Sequence, residues 1–157
     1  MRIIDVTGND VVSGASYICR SGHQSIVYLE SSHWGQLGLS LDLPRAAFRV
    51  YKNESETAGR VIEESDEVIF KIQGVRTMMD RNYVSYLSGP EKHFIYLAYK
   101  SHVTLFKLQS AEGGYKVSAA SGTGKGQFIK QIGDHSWPNL GVFGGIDDAI
   151  TFELESY

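Results

Sequence analysis

Three stretches end alike: Ala47-Phe48-Arg49-Val50-Tyr51-Lys52, Leu105-Phe106-Lys107-Leu108-Gln109 and Thr151-Phe152-Glu153-Leu154-Glu155. Each reads Phe, charged residue, then Val or Leu. Side chains alternate across a strand, so each stretch predicts a strand with Phe and the aliphatic on one face. The phenylalanines lie 106 − 48 = 58 and 152 − 106 = 46 residues apart, close to a third of the 157-residue chain.

The same order of apolar runs precedes each Phe. The first unit has Ala15–Arg20, Ser25–Leu29 and Leu37–Leu41. The second has Glu67–Ile72, Tyr83–Leu87 and Phe94–Tyr99, and the third Gly114–Ser118, Gln127–Lys130 and Leu140–Phe143. These and the closing stretches make twelve short runs rich in β-branched and aromatic residues. Turn clusters separate them at Ser21-Gly22-His23, Ser88-Gly89-Pro90 and Ser121–Gly126. Seventeen glycines against three prolines suit many tight turns with few interrupted ladders.

No four-stranded unit buries its apolar face alone, and open sheet edges invite aggregation, so closure of the sheet is expected. In repeat order and in its three Phe-containing closing strands the chain resembles the β-trefoil superfamily. That likeness implies one domain over residues 1–157, with repeats at about 1–52, 60–110 and 111–157. They would form a six-stranded barrel capped by three hairpins. A β-sandwich of twelve strands is the alternative, which leaves the threefold ending unexplained. The superfamily includes sugar-binding lectins, protease inhibitors, fascin-like actin-bundling domains and interleukin-one-like cytokines, so fold alone does not select the function. The Gln-x-Trp mark of ricin-type lectins is absent from the three closing strands.

The composition narrows the partners. With 15 basic against 18 acidic residues the formal charge is −3, and no basic run offers phosphate a binding face. Nucleic acid is therefore not expected. No apolar run approaches the roughly 20 residues of a membrane-spanning helix. Met1–Asp5 lacks the pattern of a secretory signal, which predicts a cytoplasmic or leaderless-secreted protein. The single cysteine, Cys19, lies in an alternating apolar run and reads as a small packed residue.

Catalytic patterns fail one by one. His23, His33, His93, His102 and His135 are scattered without metal-ligand spacing. Gly122-Thr123-Gly124-Lys125-Gly126 resembles a phosphate loop, yet Ala119 replaces its first glycine and Gly126 its Ser or Thr, so a flexible hairpin turn is expected. Glu63/Glu64 and Asp147/Asp148 are neighbours on polar loops, whereas acid–base catalysis needs carboxylates in separate environments. No enzyme, metal or cofactor is expected.

One local pattern points to a ligand. His33-Trp34-Gly35-Gln36-Leu37-Gly38 in the first unit matches Asp134-His135-Ser136-Trp137-Pro138-Asn139-Leu140-Gly141 in the third. Both place Trp, any residue, an amide, Leu and Gly in order, and the chain has no other Trp. An indole stacks on the apolar face of a pyranose, and an amide can bond two hydroxyls at once. A sugar site of His33, Trp34, Gln36, Asp134, His135, Trp137 and Asn139 follows, and with it a lectin that binds glycans or glycoproteins. Two sites on one domain, or on a homodimer, would gain by multivalency. The competing reading gives both tryptophans to the barrel end, with Leu37 and Leu140 turned inward. A second function is a protein-binding trefoil: a protease inhibitor, or a cytokine-like or cytoskeletal ligand, presenting Asn53–Asp66 or Gly74–Asn82. The first of these loops is polar and acidic and reads as solvated, or as a helical turn over Ala58–Glu64. Asn53-Glu54-Ser55 also matches a glycosylation acceptor.

Overall fold

A computed structural model gives the architecture for all residues except 30–34, 76, 78–79, 87–93 and 133–138 and the side chains of Glu54 and Asn139. Among the described residues there are twelve strands: β1 (Ser16–Ser21), β2 (Gln24–Tyr28), β3 (Leu37–Ser40), β4 (Ala47–Lys52), β5 (Val68–Gln73), β6 (Tyr83–Tyr86), β7 (Ile95–Ala98), β8 (Phe106–Ala111), β9 (Gly114–Ala119), β10 (Ile129–Ile132), β11 (Asn139–Val142) and β12 (Thr151–Ser156).

Six of them close a ring. β1 pairs β4, β4 pairs β5, β5 pairs β8, β8 pairs β9, β9 pairs β12 and β12 returns to β1, all antiparallel. The hairpins β2–β3, β6–β7 and β10–β11 project from that ring. A closed six-stranded barrel with three hairpins is a β-trefoil, and the β-sandwich alternative falls because the ring has no free edge.

The repeated phenylalanines are equivalent in the ring. Phe48 pairs Tyr17, Phe106 pairs Val68 and Phe152 pairs Tyr115, each on the first strand of its own unit. Their exposures are 2%, 0% and 2%. Burying each ring removes apolar area worth about 1.5–3 kcal/mol. Phe70 meets Phe106 edge to face, with centroids 5.7 Å apart. The barrel axis retains an apolar cavity of about 40 Å³ among these rings and Cys19, Ile26 and Val84. Burial pushes the Cys19 thiol up to about 12, as befits a packing residue.

The hairpins meet in a second threefold arrangement. Gln36 bridges Tyr96, Phe94 bridges Gly141, and Asn139 pairs Gly38. Each contact joins the first position of one unit's triplet to the third position of another's: Gln36-Leu37-Gly38, Phe94-Ile95-Tyr96 and Asn139-Leu140-Gly141. The middle residues Leu37, Ile95 and Leu140 are all buried and plug the barrel from the cap side.

The other barrel end is closed by segments the strand pattern does not reveal. Ile3 N–H donates to Ile62 O, Ile62 N–H to Val11 O, and Val11 N–H to Ile3 O, at 2.9–3.0 Å. All three side chains are fully buried. The helical turn expected over Ala58–Glu64 is therefore corrected. Val61 bridges Val12 and Glu63 bridges Arg2 in extended pairing, and the short helical turn is a 3-10 turn at Asn53–Ser55.

Candidate functional site

Of the seven residues expected from sequence to form a sugar site, His33, Trp34, Asp134, His135 and Trp137 lie outside the described residues. Gln36 is half-buried and sits in the cap triangle, and the backbone of Asn139 pairs Gly38 there. The amide-Leu-Gly part of the repeated pattern thus has a packing origin. Gln36 and Asn139 occupy equivalent bridge positions, and Leu37 and Leu140 fill the core.

The glycine loop is committed internally as well. Tyr86 Oη donates to Ser121 O at 2.8 Å and accepts from Gly124 N–H at 2.7 Å. The N–H groups of Lys125, Gly126 and Gln127 go to Gly122 O, Ala119 O and Gly124 O. A phosphate would find these four donors already used. The expected flexible turn is a loop wrapped on a buried tyrosine.

The long loop after β4 is the built feature of the surface. Thr57, Ala58, Gly59 and Arg60 are exposed, while the loop's inner side is held by Ser13, itself 2% exposed. Ser13 Oγ donates to Thr57 O at 2.6 Å and accepts Lys52 N–H at 3.1 Å. Ser13 N–H donates to Arg60 O at 2.7 Å, and Ser13 O accepts Gly59 N–H at 2.8 Å. One small residue thus makes four hydrogen bonds to three loop residues and the end of β4. Gly14 must stay without a side chain, because a Cβ there would lie 2.8 Å from Ala58 Cβ.

A second anchor holds the start of the loop. Tyr83 Oη donates to Glu56 Oε1, and Lys100 Nζ lies 3.8 Å from the same oxygen. Burial, then the Glu56 carboxylate, raise the Tyr83 hydroxyl well above the usual tyrosine range, so it remains a donor. Glu56 takes a left-handed backbone conformation at φ 52°, as does Asn53 at φ 53°. Non-glycine residues hold that conformation where surroundings enforce it. Ser55 N–H donates to Asn53 Oδ1 at 2.9 Å within this turn.

The length and polarity of this loop are visible in the sequence, but the role of Ser13 is not. A lone serine between Val12 and Gly14 carries no signal until the N-terminal segment is placed against the loop.

No family model and no curated protein sequence matches the chain. Similar solved structures do exist. Type II water-soluble chlorophyll-binding proteins give a TM-score of 0.81 at 13% identity, covering 100% of this chain and 99% of theirs. The trypsin inhibitor from soybean gives 0.77 at 14%, with 100% and 99% covered. The kallikrein inhibitor of Bauhinia bauhinioides, as a point mutant bound to bovine trypsin, gives 0.74 at 16%, with 99% and 98% covered. At such identities the likeness shows the fold, a β-trefoil.

These neighbours correct the sequence expectation of a lectin with glycans or glycoproteins as partners. They are protease inhibitors and chlorophyll-binding proteins, and the reading shifts to the protein-binding alternative. The physical reason lies in the pattern that suggested sugar: part of it is the cap triangle. None of the neighbours named above is an enzyme.

Proposed function

We propose that the chain is a protein-binding β-trefoil that acts without a chemical step, presenting the exposed side of Asn53–Arg60 to a peptidase. The observation that carries this is the four-bond anchorage of the loop by buried Ser13. A loop that is ordered before binding loses less conformational entropy in the complex. The peptidase class comes from the neighbours: the Bauhinia bauhinioides kallikrein inhibitor is solved, as two point mutants, in complex with bovine trypsin and with human kallikrein 4.

The geometry also bears on the mode. A substrate-like inhibitor turns the carbonyl of its central residue outward, towards the donors of the oxyanion hole. Here Arg60 O is turned inward onto Ser13 N–H, and Gly59 has φ 86°. The loop therefore docks by its side chains, and the Arg60–Val61 bond stays uncut. The test is titration of trypsin, chymotrypsin and kallikrein activity with the wild type and with a variant carrying Gly-Ser replacements over 55–60. Inhibition lost in the folded variant supports the proposal. No inhibition by the wild type, or equal inhibition by both, overturns it.

A further inference from the structure

Glu56 joins the loop to a second exposed element, the 3-10 turn Lys100–His102. That turn is fixed: His102 N–H donates to Tyr99 O at 2.9 Å and Val103 N–H to Lys100 O at 3.1 Å. Behind it Thr104 is buried, with its Oγ1 3.1 Å from Ser85 Oγ. Lys100, Ser101 and His102 are all exposed.

The charge on this element is only partly answered. The Lys100 side chain is 53% exposed, and its nearest carboxylate oxygen, Glu56 Oε1 at 3.8 Å, already accepts the Tyr83 hydroxyl. Arg81 lies over the Tyr99 ring at 5.0 Å, and its Nε is buried with no hydrogen-bond partner among the described residues. Exposed Arg60 makes no ion pair among them either. Asp80, the residue before Arg81, is exposed as well.

We infer that Lys100–His102 is the second half of the partner-binding face, and that it meets carboxylates flanking the peptidase cleft. This rests on the partner-binding reading above. Facing charges of opposite sign act chiefly on the rate of association and on its salt dependence. Lys100 is an exposed rim charge, so its role is steering, while the Ser13-held loop supplies the contact.

Association of wild type, Lys100→Ala and Lys100→Glu with immobilised bovine trypsin and human kallikrein 4 tests this, at about 0.05 M and 0.5 M salt. His102→Glu adds a negative charge to the same turn outside the Glu56 contact. Both glutamate variants should slow association about tenfold at low salt, Lys100→Ala should slow it less, and the differences should shrink at high salt. Melting curves of Lys100→Ala and His102→Glu should match the wild type. Lys100→Glu sets a second carboxylate beside Glu56, so His102→Glu decides between lost steering and a loosened loop. Association unchanged by both glutamate variants, in variants that still bind, overturns this inference alone. Absence of any wild-type complex overturns it together with the reading beneath it.

Discussion

Ser13 Oγ donates a 2.6 Å hydrogen bond to the carbonyl oxygen of Thr57, a residue 44 positions along the chain. That bond ties the N-terminal segment to the outer loop, so stability and the proposed partner binding share one residue. Ser13→Ala leaves Lys52 N–H and Thr57 O short of a partner, which costs about 1–3 kcal/mol. Chemical denaturation should report that loss. Hydrogen exchange should show faster exchange at Lys52 and Gly59, with the barrel strands unchanged beyond the global shift. Ser13→Thr keeps the hydroxyl and should recover part of both effects.

Acid should loosen the barrel floor. The Thr7 hydroxyl and the N–H groups of Thr7 and Asn9 converge on Asp5 Oδ1, and the hydroxyl bond leads in holding its carboxyl below the usual range. Glu64 is lowered too, first by the Ser110 N–H. A carboxyl lowered in the fold stabilises it above its unfolded value of about 3.9–4.3, and that stability fades as pH falls through the folded value. Denaturant titrations from pH 7 to pH 2 should show a shallower acid loss for Asp5→Asn than for wild type.

Two adjacent glycines should behave differently. A Cβ on Gly113, at φ 84°, meets nothing within 4 Å, so Gly113→Ala suffers backbone strain alone, about 1–2 kcal/mol. A Cβ on Gly114 would lie 2.2 Å from Phe152 O, a backbone atom of the closing strand. Gly114→Ala must push β9 off β12, and its melting temperature should fall well below that of Gly113→Ala. Equal melting temperatures would contradict this packing.

Cys19 should be silent towards thiol reagents in the native state. Its sulfur is buried and its thiol pushed up to about 12, so little thiolate exists at neutral pH. Labelling should proceed only as fast as the protein opens, and should accelerate sharply at the denaturation midpoint.

What the sequence disclosed follows physical period. Phe48, Phe106 and Phe152 repeat with an alternating pattern, and that pattern carried the strands and the closed barrel. Leu37 and Leu140 were legible as inward residues for the same reason. The floor was not, because Ile3, Val11 and Ile62 sit in short segments where no alternation accumulates. Their partnership exists only once three distant stretches meet. Ser13 was hidden likewise, since its role depends on Thr57, Gly59 and Arg60. The amide-Leu-Gly part of the tryptophan pattern arises from strand equivalence between units one and three, which produces the same local spelling that a repeated ligand site would.

Hydrogen exchange of the chain mixed with bovine trypsin or human kallikrein 4 shows whether the Ser13-held loop docks on a peptidase. New protection is expected at Asn53–Arg60 and a smaller gain at Lys100–His102, with the cap strands β2 and β3 unchanged. Protection confined to the hairpin cap, or no protection with either peptidase, would contradict it.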